Sequence, residues 1–230
     1  MNNQKFVALL PLKLNSERVP NKNFKTFAGK PLFSWILEAL NETKEISSVI
    51  INTDASEELM RKGFVPTDKN ILRERPQELS GDDVSMNLII NDDLNSIEAD
   101  YFIMTHTTNP LLTSRTISKA ITTFLSSKNS DSLFTANEVH SRFYDSEAKP
   151  INHDPLNLVR TQDLPAWYEE NSCLYIFSKD SFSINKTRIG SSPLIHPIPK
   201  NESIDIDDKY DWEIAESVMK NRVQLNEINN

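Results

Sequence analysis

Short, uninterrupted apolar runs recur along the chain, at Phe6–Leu10, Val49–Ile51 and Tyr101–Met104. Runs without polar alternation are typical of strands that are buried on both faces, as in a parallel sheet. Between these runs, apolar residues recur at helical spacing in the segments 31–40 and 114–125, which predicts two amphipathic helices. Because strands and helices alternate, we predict an α/β fold with a doubly wound, mostly parallel sheet and right-handed crossovers.

The pattern changes after Asp131. Longer strands are predicted for SLFTANEV (residues 132–139) and CLYIFS (residues 173–178). The segment between them, from His140 to Asn171, is irregular and contains prolines. Because a long connection inside a compact domain is usually functional or packs against a partner, we interpret it as an insertion at about 140–171. It would serve substrate binding and dimerisation within a single domain that spans residues 1–230.

Composition and charge narrow the possible functions. The 230 residues include 25 Lys and Arg against 33 Asp and Glu, a net charge of −8. Nucleic acids and anionic membranes are disfavoured as partners because both require a positive surface. Apolar runs are too short to span a membrane, Met1–Lys5 is polar rather than signal-like, and the lone Cys173 excludes an intrachain disulfide or a multi-thiolate zinc site. We therefore expect a soluble, cytoplasmic protein.

The loop after the first predicted strand, Leu10–Asn23, contains no glycine but carries the cations Lys13, Arg18 and Lys22. Three cations beyond the end of a buried strand could surround a triphosphate. Asn15 could adopt the left-handed backbone conformation that glycine usually supplies. The same loop could equally be a solvated surface loop.

Two further predicted strands run into polar residues, at 52–54 and 105–110. Ligands of open α/β sheets bind beyond the carboxyl ends of the strands, so His106 is a candidate contact, although it could also be a structural residue. Arg75 could contact a phosphate or a base, and Ser85 could form hydrogen bonds at the start of a helix. Both residues also fit an ordinary loop and helix cap. Glycine-rich nucleotide motifs and the Gly-x-Ser-x-Gly motif are absent, which disfavours P-loop, dehydrogenase and hydrolase functions.

An acidic segment at 202–216 is a candidate metal site. In an extended conformation Asp205 and Asp207 would point to one face, and Ile204 and Ile206 to the other. Two carboxylates on one face suit Mg²⁺, which commonly takes one or two carboxylates together with substrate phosphates. The alternative is a helix start, with Asp207 or Asp208 as the N-cap.

Taken in order, these stretches resemble the acylneuraminate (CMP-sialic acid) cytidylyltransferase family. The family's Pro-Ala-Arg-x-x-Ser-x-x-x-Pro-x-Lys-Asn pattern is matched by PLKLNSERVPNKN (residues 11–23). Six further segments match family segments in the same order: AGKPLFSWILEAL, INTD, RPQELSGDDVS, TTNPLLT, TQDLPAWYEENSCLYIF and SIDIDDKYDWEIAE. The resemblance spans Val7 to Met219, nearly the whole chain, and identifies a divergent member.

The resemblance implies a Rossmann-like nucleotidyltransferase fold and a reaction. CMP would pass from CTP to an acidic sugar, a nonulosonic or 2-keto-3-deoxy acid, with release of pyrophosphate. It also implies Mg²⁺ as cofactor and a homodimer in which the insertion reaches the partner's site. Catalytic roles would fall to Lys22, Asp205 and Asp207, of which the two aspartates would hold the metal. The implied CTP-binding residues are Lys13, Asn15, Ser16, Lys22, Asn23, Arg75 and Ser85, and the implied acceptor-binding residues are His106, Thr108, Arg160 and Gln162.

The departures from the family pattern concentrate in the acceptor region. His106 replaces a glutamine, Thr161 replaces an arginine that is shifted here to Arg160, and Glu169 replaces a further arginine. In the CTP region Lys13 replaces an arginine, which keeps the charge but loses the bidentate geometry. The acceptor therefore stays open between an acidic sugar and another acid such as a phosphonate or a sugar phosphate. A glycosyltransferase and a non-catalytic nucleotide-binding homologue remain as alternatives.

Overall fold

The computed structural model describes residues 4–16, 18–81 and 83–228. In these residues seven strands form the main sheet, in the order β5-β4-β1-β6-β8-β7-β9. The strands are β1 (Phe6–Leu9), β4 (Ile46–Thr53), β5 (Asn70–Glu74), β6 (Tyr101–Thr105), β7 (Ser132–Val139), β8 (Trp167–Phe177) and β9 (Pro193–Pro197). The strands β5, β4, β1 and β6 are mutually parallel, as are β7 and β9, whereas β8 runs antiparallel to β6 and β7. The predicted α/β fold with a mostly parallel sheet is confirmed.

Helices cover both faces of the sheet. They are α1 (Leu32–Glu42), α2 (Ser56–Arg61), α3 (Met86–Ser96), α4 (Ser114–Ser126), α5 (Lys179–Asn185) and α6 (Lys209–Ile228), and a short hairpin of β2 (Thr26–Phe27) and β3 (Lys30–Pro31) precedes α1. The two helices predicted from apolar spacing correspond to α1 and α4, whose apolar stripes are buried.

The core lies in layers on either side of the sheet. On one face α1 and α4 pack against the strands, and on the other face α3 and α5 do so. All four residues of β1 are buried, and full burial of each apolar side chain contributes about 1.5–3 kcal/mol. A third apolar cluster joins the β2–β3 hairpin to α6 and to the segment before α6, with Phe27 packed edge-on against Trp212.

The strand predicted for residues 173–178 is longer than expected. β8 begins at Trp167 and pairs with the second half of β7 as far as Val139 opposite Trp167. The irregular connection therefore ends at residue 166 rather than at Asn171. Residues 167–170 are exposed in this chain, so their sequence lacks the apolar pattern by which a buried strand is predicted.

Among the described residues, none of the helices has both the length and the apolar character to cross a membrane. The first three residues of the polar segment Met1–Lys5 lie outside the described residues.

Candidate functional site

A pocket opens at the carboxyl ends of β1 and β6. It is lined by the loop after β1, by the segment that leads into α3, and by the turn after β6. The described lining residues are Pro11, Leu12, Lys13, Ser16, Lys22, Asn23, Arg75, Gly81, Val84, Met86, Ile89, His106, Thr107 and Thr108. The structure thus brings together seven residues singled out from the sequence: Lys13, Ser16, Lys22, Asn23, Arg75, His106 and Thr108.

The loop after β1 turns through a left-handed residue just before Lys22. That residue is Asn21, with φ of 53°, and not Asn15 as predicted, which is absent from the left-handed residues in the described part of the chain. Asparagine tolerates this conformation better than most residues do. The left-handed conformation predicted for Asn15 was therefore wrong, and Asn15 is exposed and is not among the described lining residues.

Lys22 is buried in a short 3₁₀ turn and faces the segment before α6. Its Nζ donates a hydrogen bond to the backbone carbonyl of Ile206 at 2.5 Å. Burial lowers the pKa of Lys22, with Arg18 and Lys13 acting in the same direction and Asp205 and Asp207 opposing it. The ammonium group is therefore close to both predicted catalytic carboxylates.

Asn23 holds the loop against the end of β6. Its Nδ2 donates to the carbonyl of Lys13 at 2.8 Å, and its Oδ1 accepts from the hydroxyl of Thr107 at 2.6 Å. Because both ends of the amide are engaged within the protein, Asn23 is suited to shaping the pocket, a role that the family resemblance implied for it.

The side chain of Arg75 extends from the end of β5 to the ends of β4 and β1. Its Nε donates to Oδ1 of Asn52 at 2.8 Å, and its Nη2 donates to the carbonyls of Leu12 and Asn52 at 3.1 and 2.8 Å. Burial lowers the pKa of Arg75, and the carboxylates of Asp54 and Asp93 oppose this shift. The guanidinium group is thus held rigidly at the wall of the pocket.

Sequence reasoning did not single out the support behind Arg75. Asn52 donates from Nδ2 to Asp93 at 2.7 Å, and Arg73 donates to the same carboxylate oxygen at 3.0 Å. Burial raises the pKa of Asp93 to about 6, while Asn52 and Arg73 oppose the shift. The polar end of the INTD strand was the available signal for Asn52, whereas Asp93 lies in the ordinary pattern of α3.

Besides Asn15, three further predicted binding residues are not among the described lining residues of the pocket. Ser85 is the exposed N-cap of α3 and accepts from the backbone N–H of Asn87 at 3.3 Å. Arg160 forms an exposed ion pair with Asp163, at 2.7 Å from Nε, and Gln162 lies exposed in the same 3₁₀ turn. The described lining residues do not include any of the three.

The segment before α6 presents the two acidic candidates. The backbone N–H of Ile206 donates to the carbonyl of Thr108 at 2.9 Å, and the side chains of Ile204 and Ile206 pack in the third apolar cluster, as predicted. Burial raises the pKa of Asp205, whereas hydrogen bonding to Thr108 and the charge of Lys22 oppose the shift.

The oxygens of these carboxylates differ in their partners. Oδ1 of Asp205 is buried and has no hydrogen-bond partner among the described residues. Asp207 is exposed, and its Oδ2 lies 2.9 Å from Nη1 of Arg18. A buried carboxylate oxygen without a partner fits a cation ligand, because an unsatisfied buried acceptor is otherwise costly.

The side chains that cap the start of α6 are those of Asp208 and Asp211, not those of Asp205 and Asp207. Oδ1 of Asp208 accepts from the backbone N–H groups of Tyr210 and Asp211 at 2.7 and 3.0 Å, and Asp211 accepts from the N–H of Asp208 at 3.0 Å. This reciprocal arrangement is a capping box. The alternative in which Asp207 is the N-cap is therefore wrong, and the side chains of Asp205 and Asp207 remain available for other contacts.

The described residues contain no group of three or more His, Cys, Asp and Glu side chains that could hold a metal ion by themselves. A pair of carboxylates is nevertheless what Mg²⁺ commonly takes when substrate phosphates supply further ligands.

Comparison with known families identifies the chain. The family model described as cytidylyltransferase matches residues 7–223. The chain belongs to this family.

The curated relatives of this chain are distant in sequence. It is 26% identical over 216 residues to an N-acylneuraminate cytidylyltransferase from Oncorhynchus mykiss, a match that covers 91% of this chain and 49% of the relative. It is 23% identical over 218 residues to post-translational flagellin modification protein B from Campylobacter coli, covering 90% of this chain and 92% of the relative. The chain spans about half the length of the N-acylneuraminate cytidylyltransferases it matches.

Solved structures share the fold. This chain is similar to the structure of CMP:2-keto-3-deoxy-manno-octonic acid synthetase complexed with CTP, with a TM-score of 0.66 and 14% identity, covering 95% of this chain and 99% of the other. The α/β nucleotidyltransferase fold of this family member is thereby established.

His106 lines the pocket directly after β6, whereas Arg75 lines it directly after β5. Burial lowers the pKa of His106 to about 4, with further lowering by the charges of Arg188 and Lys22. The imidazole is therefore neutral at pH 7 and can donate from one ring nitrogen and accept at the other. Arg188, which sequence reasoning did not single out, lies near enough to affect this titration.

Proposed function

We propose that this cytidylyltransferase transfers CMP from CTP to an acidic sugar, a nonulosonic or 2-keto-3-deoxy acid, and releases pyrophosphate. One observation carries the proposal: in a pocket that also contains Arg75, buried Lys22 bonds to the backbone carbonyl of Ile206, the residue between Asp205 and Asp207. Relatives named N-acylneuraminate cytidylyltransferase and a structural neighbour named for 2-keto-3-deoxy-manno-octonic acid support the substrate class.

The chemistry is a displacement at the α-phosphorus of CTP. The anomeric oxygen of the acceptor forms the new bond to phosphorus, the bond to pyrophosphate breaks, and the hydroxyl proton is released. Catalysis of this kind depends mainly on positioning and on stabilising negative charge. Lys22 donates one N–H to Ile206 and retains two further N–H groups, which can neutralise charge that develops on the α-phosphate. Arg75 and the loop of Ser16 and Asn23 would hold the nucleotide.

Mg²⁺ is part of this proposal. Asp205 and Asp207 would hold it, since Asp205 has a buried oxygen without a partner among the described residues and the pair is not needed for the helix cap. When bound, the ion would supply positive charge against the phosphates and make the attacking hydroxyl more acidic.

A homodimer is also proposed. The connection between β7 and β8 and the start of β8 expose apolar side chains that a second copy of the chain could cover. These side chains are Tyr144, Ile151, Leu156, Leu158, Val159, Trp167 and Tyr168. In such a dimer the connection could bring Arg160 and Gln162 to the partner's pocket, which would restore their predicted role in acceptor binding. Because CTP is made in the cytoplasm, the proposed reaction would take place there.

The deciding experiment mixes the protein with CTP, Mg²⁺ and a panel of acids that includes N-acetylneuraminate, 2-keto-3-deoxy-octonate, a sugar phosphate and a phosphonate. Pyrophosphate release and the mass of the product report transfer. We expect a CMP-sugar from at least one of the sugar acids. Transfer to the phosphonate or sugar phosphate alone would select the other acceptor class, and CTP binding without transfer to any acid would favour the non-catalytic homologue.

Lys22→Ala should lower turnover by about 100-fold or more, because removing one preorganised charge-stabilising group typically has this effect. Lys44→Ala is the matched control, since Lys44 is exposed at the opposite, amino-terminal end of β4. Equal activity of the two variants would contradict the catalytic role of Lys22.

A further inference from the structure

Arg188 lies in the loop between α5 and β9 and is held over the sheet by Tyr175. Its guanidinium carbon is 3.9 Å from the centre of the Tyr175 ring, and its Nη2 donates to the Tyr175 hydroxyl at 3.0 Å. The same hydroxyl donates to Glu170. A guanidinium group carries five N–H donors in a fixed planar fork, so the contact with Tyr175 leaves other N–H groups able to bind an anion.

Arg188 forms no ion pair with any residue that the structure describes, and its link to Glu170 runs through the Tyr175 hydroxyl. Among the described residues, no carboxylate lies within ion-pair distance of its guanidinium, whose polar contacts are the Tyr175 hydroxyl and the sulfur of Met104, the latter at 3.6 Å from Nη1. The side chain is nevertheless half-buried. A half-buried cation without an anionic partner is costly unless a ligand supplies the negative charge.

Arg188 lies on the same face of the sheet as the pocket. Met104 and His106 are two residues apart at the end of β6, so their side chains point to the same face. Met104 and Tyr175 are directly paired across β6 and β8, and both pack in the apolar cluster of that face, against which Met86 of α3 also packs. Because Met86 and His106 both line the pocket, Arg188 lies beside the pocket wall that His106 and α3 form.

The loop that carries Arg188 is fixed to the sheet. The carboxylate of Asp131 accepts from the backbone N–H groups of Ser191 and Ser192 at 2.8 and 3.0 Å, and the N–H of Gly190 donates to Ser132 at 2.8 Å. A Cβ at Gly190 would come within 2.3 Å of the Asp131 carboxylate, so this approach requires glycine. The position of Arg188 is therefore determined by the fold rather than by a ligand.

We propose that Arg188 binds the carboxylate of the acidic acceptor, with the imidazole of His106, which lines the pocket, as a second hydrogen-bonding group. The proposal rests on the function proposed above, because it assigns a residue to the acceptor side of that pocket. In a 2-keto-3-deoxy acid the carboxylate and the reacting hydroxyl are on the same carbon, so fixing the carboxylate also orients the attacking oxygen. The acceptor contact assigned here comes from within one chain and differs from the predicted contacts Arg160 and Gln162.

Arg188→Met tests this assignment, with Arg115→Met, an exposed arginine of α4, as the matched control. We expect the KM for the accepted sugar acid to rise by about 10- to 100-fold, as the loss of a charge-assisted hydrogen bond predicts, while the KM for CTP stays unchanged. The methyl ester of the same acid sharpens the test. Wild-type protein should prefer the acid to its ester, and Arg188→Met should lose this preference.

Arg188→Lys addresses the risk that the methionine variant fails to fold. It keeps a charge over Tyr175 but loses the planar fork, so the KM for the acid should lie between those of the wild type and Arg188→Met. A preference for acid over ester that survives in both variants would overturn the proposal, as would a rise in the KM for CTP that equals the rise for the acid.

A second measurement does not depend on turnover. The NMR signal of His106, assigned by its loss in His106→Gln, is followed against pH with CTP and with or without N-acetylneuraminate or 2-keto-3-deoxy-octonate. A carboxylate bound at Arg188 should raise the pKa of His106 in the wild type and not in Arg188→Met. If the protein transfers CMP to no acid, the proposed function fails, and this titration still decides whether Arg188 binds a carboxylate. An unchanged His106 pKa with both acids would overturn the assignment.

Discussion

The ammonium group of Lys22 lies in an environment that shifts its pKa in two directions. Burial lowers the pKa most strongly, while Asp205 and Asp207 raise it. The net lowering means that Lys22 loses its proton at a lower pH than an ordinary lysine does. A lysine that must be charged to neutralise a phosphate then limits activity at alkaline pH.

The rate should therefore fall as the pH rises through the pKa of Lys22, at a pH below the usual lysine range. In Lys22→Arg the cation stays protonated, so the alkaline limb of the kcat/KM profile should move to higher pH, even if the maximal rate is lower. The measurement is kcat/KM for CTP against pH at saturating acceptor. An alkaline limb at the same pH in both proteins would show that another group titrates there.

Asp93 is expected to make the free energy of unfolding depend on pH. Burial raises its pKa from 3.8 to about 6, so the folded state binds a proton more tightly than the unfolded state does. The resulting stabilisation is fully present below the unfolded pKa and is lost as the pH rises through about 6. A shift of this size corresponds to about 3 kcal/mol.

Asp93→Asn should remove that dependence while its side-chain oxygen still accepts from Asn52 and Arg73. Urea unfolding at several values between about pH 4 and pH 7 measures the free energy of unfolding of both proteins. The stability of the variant relative to the wild type should increase across this range as the pH rises. A constant difference would mean that Asp93 does not titrate with a raised pKa.

At the scale of single elements, two pairs of acidic residues lie around the start of α6 and have separate roles. Asp208 and Asp211 form the capping box of the helix. Asp205 and Asp207 precede the cap, and they lie near the ammonium group of Lys22. Neighbouring aspartates in one short segment should therefore respond differently to substitution.

Asp208→Ala should lower the free energy of unfolding by about 1 kcal/mol, the usual cost of losing an N-cap, and leave most of the activity. Asp207→Ala should have the opposite profile, with turnover abolished and stability little changed. Thermal unfolding and pyrophosphate release measure the two effects, and Asp208→Asn, which keeps the cap, is the control. Full activity in Asp207→Ala would remove this residue from the proposed site.

At the scale of the whole molecule, the sheet has two outer strands and a pair of strands that protrudes from it. β5 and β9 are its outer strands, while β7 and β8 extend beyond β6 as a two-stranded arm that leads into the connection at 140–166. The exposed apolar side chains of the proposed dimer interface belong to this connection and to the first residues of β8. An apolar surface of this extent is expected to be covered in solution.

The double variant Leu156→Glu/Leu158→Glu should convert the proposed dimer into a monomer, because it places charges on two exposed apolar positions. Sedimentation velocity of the wild type and the variant measures the change. Val65→Glu/Leu125→Glu, which places the same charges on two exposed apolar positions outside the connection, is the control. A wild type that is monomeric at micromolar concentration would refute the dimer.

Much of the fold was predictable because buried strands and amphipathic helices leave local apolar patterns. The positions of β1, β4, β6, β7, α1 and α4 all follow from such patterns. The start of β8 was not predictable, since residues 167–170 are exposed and depend for their conformation on pairing with β7. The left-handed residue of the first loop was assigned to Asn15 rather than Asn21 for a similar reason, as both asparagines suit that conformation locally.

The sequence by itself determined the α/β class, the cationic loop, the acidic segment before α6 and the resemblance to a cytidylyltransferase. Tertiary structure alone decided which of these residues meet. Lys22 bonds to the backbone of Ile206, 184 positions away, and Arg188, in the loop after α5, packs over the ring of Tyr175 in β8. Contacts between residues far apart in the chain depend on strand order and on where each loop leaves the sheet. The local spacing of residues predicts neither of these. The hydrogen bond between Arg75 and Asn52 could therefore be found only in the folded chain. The same holds for the lack of an ion-pair partner for Arg188 among the described residues.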